Sequence, residues 1–209
     1  MKTIFSIALI AISLGASAFD GTIKQQVKNY NGSGNTFDYT WYFSSKGLRF
    51  DLEFNGKDGK TNTVFLTDAL VSKIQMYTID GKASEKHIFD IETSKASADV
   101  QIITSRATGE KKVISGYNCE KYEIVTNTTK IESWITKDIA VDWTNYQNLF
   151  RNSPEVLMMA REGIKGFSLE SNSANGQNAI SLTKVIAGSP AESVFSIPAG
   201  YTPFYTNNK

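Results

Sequence analysis

Residues 37–54 constrain the fold more than any other stretch. Phe37, Tyr39, Trp41 and Phe43 alternate with Asp38, Thr40, Tyr42 and Ser44. After Ser45-Lys46-Gly47 the pattern resumes, with Leu48, Phe50, Leu52 and Phe54 set against Arg49, Asp51 and Glu53. Side chains two apart share a face of an extended strand, so each run offers one apolar face and one wetter face. The connection Ser44-Ser45-Lys46-Gly47 is short enough for a hairpin.

The same grammar continues along the chain. A strand over 22–30 ends in Asn31-Gly32-Ser33-Gly34, and Asn55-Gly56-Lys57-Asp58-Gly59 is a turn rich in residues that tolerate positive φ. Strands are predicted over 61–67 and 72–79, closed by Asp80-Gly81, and then over 87–92, 100–104, 111–115, 117–126 and 130–136. Asn127-Thr128-Thr129 turns the last two. Strands over 164–170 and 177–186 follow, with a short edge at 193–197.

One segment reads as helical. Asp142 caps a run in which Trp143, Tyr146, Leu149 and Phe150 fall along one helical side. Ser153-Pro154-Glu155 is a helix start: a capping hydroxyl, proline in the first turn, and an acid near the positive end of the dipole. Gly163 is the natural stop. Met158 and Met159 stand about 100° apart on a helix, so one is expected on the sheet and the other at its rim or in solvent. The predicted class is mostly β (α+β): a strongly curved antiparallel sheet or half-open β-barrel, closed by a helical insertion at 142–162.

Met1 and Lys2 precede an apolar stretch over 4–14 and then Ala16-Ser17-Ala18, the features of a cleaved signal peptide over 1–18. The mature chain would start at Phe19 and form a single domain over 19–209, and its roughly 190 residues suffice for a full core. No cysteine sits directly after the cleavage position, and no second apolar run predicts a transmembrane anchor. The expected destination lies across the inner membrane, in the periplasm, at the outer membrane or outside the cell. Lys plus Arg number 22 and Asp plus Glu 21, and Lys2 leaves with the signal, so the charges balance. That argues against nucleic acid or an anionic membrane surface as partner.

Cys119 is the one cysteine, so no internal disulfide is expected. It is predicted buried and reduced, next to a β-bulge near Glu120-Lys121 that would put Tyr117, Cys119, Tyr122 and Ile124 on one side. Gly116 would let the strand bend just before it.

No catalytic constellation stands out in the sequence. His87 is the only histidine and has no second metal-type ligand beside it. No Gly-x-Ser-x-Gly elbow, phosphate-binding glycine pattern or calcium loop appears. Carboxylates such as Asp51 and Glu53 read as a solvated strand face. The expectation is a non-enzyme without cofactor or metal. The surplus is aromatic, with 12 Phe, 9 Tyr and 3 Trp. These rings build a core, or line an apolar cavity under the helical segment. Trp41, Trp134, Trp143, Tyr146, Phe150, Leu157 and Met158 are the candidate cavity or lid residues.

GEKKVISGYNCEKYEI, followed by KIESWITKDIAVD, resembles a family of secreted bacterial proteins known only as domain of unknown function 4412. The matching positions are Ile114, Gly116, Tyr117, Cys119, Lys121 and Tyr122, then Glu132, Trp134, Thr136 and Asp138. The closing VFSIPAGYTPF resembles the family through Phe195, Ile197, Pro198, Gly200 and Tyr201. The family is similar to the LolA/LolB-like lipoprotein carriers of the bacterial envelope, half-open antiparallel barrels with helices at the mouth. That resemblance implies a cavity for acyl chains, with a lipid or lipoprotein as partner. Two functional classes follow: a carrier with an apolar cavity, or an envelope module with a side-chain-filled core that acts through protein contacts. A hydrolase built on His87 ranks third.

Overall fold

The computed structural model describes residues 18–29, 32–56, 59–68, 74–80, 87–91, 100–176 and 178–203. The signal-peptide segment, apart from Ala18, lies outside the described residues. The first six strands are β1 (Gly21–Lys28), β2 (Phe37–Ser44), β3 (Gly47–Gly56), β4 (Gly59–Asp68), β5 (Ile74–Asp80) and β6 (His87–Ile91). Then come β7 (Ile102–Ile114), β8 (Tyr117–Thr126), β9 (Lys130–Thr136), helix α1 (Pro154–Glu162), β10 (Phe167–Ser173), β11 (Ala179–Ala187) and β12 (Thr202–Pro203).

All twelve strands form one sheet, ordered β12-β6-β5-β4-β3-β2-β1-β11-β10-β9-β8-β7. Two antiparallel meanders, β1 to β6 and β7 to β11, meet where β11 pairs with β1, and β12 adds a parallel edge on β6. Among the described residues β7 and β12 end the strand order, and the sheet is neither closed nor strongly curled. The strongly curved sheet or half-barrel expected from the sequence does not form. Bending is local: register shifts fall at Lys24/Gln25 and Ser168/Glu170, and β10 pairs with β11 only from Glu170 to Asn172.

The predicted strand boundaries hold closely in the first meander. The strands expected over 100–104 and 111–115 are instead one 13-residue strand, β7. Its register against β8 shifts between Ala107 and Lys111, where Gly109 takes φ 81°. The bulge expected in β8 is therefore in β7, and β8 stays in continuous register with β9. Cys119 is buried at 3 % exposure and free, and Tyr122 and Ile124 are buried too. Gly116 serves as the second residue of the β7–β8 hairpin turn, with φ 90° beside Ser115 at φ 50°. Positive φ at both central residues is what a tight right-twisted hairpin requires.

The helical insertion is smaller than expected. Trp143–Asn145 is a single 3-10 turn. Tyr146, Leu149 and Phe150 lie on separate turns closed by Tyr146 N–H to Trp143 O (2.9 Å) and Leu149 N–H to Tyr146 O (3.0 Å). Thr144, Asn145, Asn148 and Asn152 interrupt the run, and such residues compete for their own backbone. Helix α1 starts where Ser153-Pro154 predicts and stops at Gly163, which adopts φ 65°. Met158 and Met159 are both buried, contrary to expectation, because α1 packs between neighbours on two sides. The edge expected over 193–197 is a second 3-10 turn, Glu192–Phe195. Its N-cap is Ala191, and Glu192 stands in its first turn, where the positive end of the helix favours an acid.

Both faces of the sheet are covered at β3–β5. Leu48, Phe50 and Phe65 join the main core on one face. On the other, Val64, Leu66 and Tyr77 are buried under the C-terminal stretch, where Tyr201 stacks edge-on against Tyr77 at 5.1 Å and donates its hydroxyl to Thr78 O at 2.9 Å. Asp51, expected in solvent, is buried there: it pairs with Arg49 Nε at 2.6 Å and accepts from Asn62 Nδ2 at 3.2 Å. Arg49 also donates to Val194 O at 3.0 Å, tying the C-terminal stretch to β3. The side chain of His87 lies outside the described residues.

Two outcomes test this fold. Gly47 sits at φ 145°, and a Cβ there would lie 2.0 Å from Thr67 O. Gly47→Ala is expected to lower the urea-unfolding free energy by about 2 kcal/mol or more, and an unchanged midpoint would contradict the hairpin geometry. Burial pushes the Cys119 thiol above its usual pKa. It should therefore resist iodoacetamide at pH 8 in the native protein and react quickly in urea.

Candidate functional site

A cleft of about 730 Å³ runs between the inner face of β1–β3 and the segment 148–159, with β9 and β10 forming the third side. Its apolar lining follows directly from the alternation: Val27 on β1, Tyr39 and Trp41 on β2, and Phe50 and Leu52 on β3 share one face. Leu149, Phe150 and Met159 close it from the opposite side.

Trp41 is the hub of this region. Its ring lies 4.3 Å from Phe50, 5.0 Å from Phe150, 5.6 Å from Phe167 and 5.7 Å from Trp143, centroid to centroid. Tilted and edge-to-face pairs of this kind contribute about 0.5–1.5 kcal/mol each beyond area burial. The indole N–H groups are satisfied. Trp41 Nε1 donates to Gln25 Oε1 at 3.0 Å, and Trp143 Nε1 donates to Gly166 O at 2.8 Å. Gln25 Nε2 in turn donates to Ser168 O at 2.8 Å, where β10 has parted from β11. A single amide thus joins β1, β2 and β10.

Polar groups of the cleft gather toward β10 and the start of α1. Glu155 lines it at 8 % exposure and accepts hydrogen bonds from the Ser171 hydroxyl and from Ser153 Oγ at 3.4 Å. Ser168 Oγ and Ser133 Oγ hydrogen-bond each other at 2.8 Å. Asp142 holds the 3-10 turn at Trp143. Hydrogen bonds from the Thr144 hydroxyl and its backbone N–H keep the Asp142 carboxyl below the usual range. Burial raises the Tyr146 phenol above its usual value.

The sequence-derived candidates separate into three groups. Trp41, Trp143 and Phe150 come together in the cleft wall, and Tyr146 stands half-buried behind Trp143, 6.3 Å away. Met158 is fully buried behind the lining and Leu157 is half-buried away from it, while the neighbouring Met159 reaches the cleft. Trp134 lies elsewhere. Ile131, Ser133 and Ile135 are the buried phase of β9, so Trp134 points to the other face, beneath Lys112 Nζ at 4.3 Å and Lys121 Nζ at 6.0 Å. Lys121 pairs with Glu132 at 3.1 Å and Lys112 with Glu170 at 2.5 Å. Gln25 and Ser171 are not among the residues the sequence singles out, and Glu155 reads there only as the acid of a helix start. A signal for two of them existed: Gln25 interrupts the apolar phase Ile23-x-Gln25-x-Val27, and serines occupy the buried phases of β9 and β10.

Among the described residues no group of His, Cys, Asp and Glu is arranged to hold a metal ion, and no helix is long and apolar enough to cross a membrane. The fold and the cleft define a class: an open, almost wholly antiparallel sheet with a helix-flanked apolar groove on one face. The chain belongs to the family described as a domain of unknown function (DUF4412), whose family model matches residues 19–201. No curated protein matches it in sequence. Among solved structures it is similar to PNGF-II in the C2 space group, with TM-score 0.50 and 16% identity over 91% of this chain. PNGF-II in the P21 space group gives TM-score 0.48 and 14% identity over 90% of this chain. The chain spans 31% of the PNGF-II chain in both, and the C2 likeness concerns the β fold alone.

Gln25 gives the test of the site's construction. Gln25→Ala strips the acceptor from a buried indole N–H and the donor from two β10 carbonyls. It should cost roughly 1–3 kcal/mol of unfolding free energy. Gln26→Ala, on the more open side of the same strand, should stay within about 0.5 kcal/mol of the parent.

Proposed function

We propose that this protein is a non-catalytic binding protein of the bacterial cell envelope that holds a small amphiphile, a lipid or the acyl chain of a lipoprotein, in the cleft. The observation that carries the reading is the cleft itself. At about 730 Å³, floored by aromatic rings and edged by a few polar groups, it has the size and lining of small-molecule sites. The resemblance to LolA/LolB-like carriers supports the same ligand class, since both set an antiparallel sheet against helical cover. In this protein the sheet stays open, so the cleft is a groove and not the lumen of a barrel. Export is part of the proposal: the family match begins at Phe19, directly after the signal-like segment. Intact mass of the exported protein should correspond to a chain starting at Phe19.

A second reading, a protein-contact module, draws on β7, the terminal strand of the sheet among the described residues. It carries Ile103 at 63 % and Val113 at 66 % exposure, the two most exposed large apolar side chains among the described residues. One experiment separates the two. Organic extraction and native mass spectrometry of the purified protein, followed by calorimetric titration with 1-dodecanol, should show one amphiphile per chain with Kd on the order of 10 μM. Leu52→Glu, which puts a charge into the apolar lining, should weaken binding roughly tenfold or more while the protein stays folded. Absence of both co-purified amphiphile and saturable titration would leave the contact module standing alone.

A further inference from the structure

Among the described residues that line the cleft, two side chains are charged, Arg151 and Glu155. Arg151 is half-buried and already engaged in an interaction of its own. Glu155 is different. It is more than nine-tenths buried, it lines the cleft, and among the described residues its only hydrogen-bond partners are the hydroxyls of Ser171 and Ser153. Among the described residues no Lys, Arg or His nitrogen lies within 4.0 Å of its carboxylate. Two neutral hydroxyls, one of them at 3.4 Å, leave acceptor capacity unused on a carboxylate, which offers about four lone-pair sites. The first turn of α1 favours a negative charge there but does not fill those sites.

The other buried polar groups of the cleft are closed. Gln25 spends its oxygen on Trp41 Nε1 and its nitrogen on the Ser168 and Leu169 carbonyls. Ser133 and Ser168 satisfy each other. Glu155 is therefore the polar atom set of the cleft that a ligand can complete, and it sits where the aromatic lining meets the serines of β10.

We propose that Glu155 anchors the head of the bound amphiphile and selects a protonated amine over a carboxylate. The proposal rests on the reading of the cleft as an amphiphile site and names the head-group chemistry. A buried carboxylate attracts an ammonium, which donates up to three hydrogen bonds, and repels a second carboxylate in the same low-dielectric space. An alcohol head, a weaker and neutral donor, ranks between them.

The test compares dodecylamine, 1-dodecanol and dodecanoate by calorimetric titration at pH 7, at concentrations below micelle formation, on the full-length mature protein. Dodecylamine should bind tighter than dodecanoate by roughly tenfold or more, as one partly desolvated charge pair provides. Glu155→Gln keeps the shape and the Ser171 contact but removes the charge, and should collapse the amine-to-carboxylate ratio toward one. A circular-dichroism spectrum and urea midpoint report whether that variant is folded. If it is not, the three-ligand comparison on the parent protein still decides. Equal binding of all three, or tighter binding of dodecanoate, overturns the role of Glu155 and leaves the cleft as an amphiphile site. A ratio that survives Glu155→Gln also overturns it. Binding of none of the three removes the cleft reading and this inference together.

Discussion

Much of the structure depends on how Trp41 is held. Its ring gathers Phe50 from β3, Phe150 and Trp143 from the irregular segment, and Phe167 from β10. Its N–H is passed through Gln25 to the β10 backbone. Without that amide, a buried indole donor and two strand carbonyls would lie unpaired in the place where β10 separates from β11. The hydrogen-bonded polar link lets the sheet part there without exposing orphaned backbone. The gap between the strands and the packing of the rings across it are the same event, and the cleft is what the rings leave unfilled.

The opposite face shows a second constraint. β3 presents Arg49 and Asp51 where the sequence pattern calls for solvent, yet the C-terminal stretch folds over them. The pair survives burial because each charge has its opposite in contact, Asn62 Nδ2 donates to Asp51, and the Val194 carbonyl accepts from Arg49. A strand alternation reports which residues share a face. It does not report what another part of the chain lays over that face.

The residues that carry the family resemblance do structural work away from the cleft. Lys121, Glu132 and Trp134 form a cross-strand ladder of ion pair and cation–π contact on β8 and β9. Asp138 accepts the Asn118 N–H at 2.9 Å, bracing the start of β8. Tyr201 fastens the C-terminal stretch to β5. None of them lines the cleft. The motif identifies the scaffold, and the groove's chemistry is written in other residues, Gln25, Glu155 and Ser171 among them. The lone cysteine belongs to the scaffold as well, a buried thiol held neutral by its surroundings.

The sequence by itself determined the elements governed by local rules. Period-two alternation and turn residues set β1 to β5, and Ser153-Pro154 with Gly163 bounded α1. It also marked Trp41, Trp143 and Phe150 as inward-facing rings. Only the tertiary structure decided that the sheet stays open, because closure depends on twist and bulges summed over twelve strands. Only it turned Trp134 outward under two lysines, buried both adjacent methionines, and brought Gln25 to Ser168, 143 residues apart in sequence. Those outcomes come from long-range packing, in which each residue's surroundings are supplied by strands that no local pattern names.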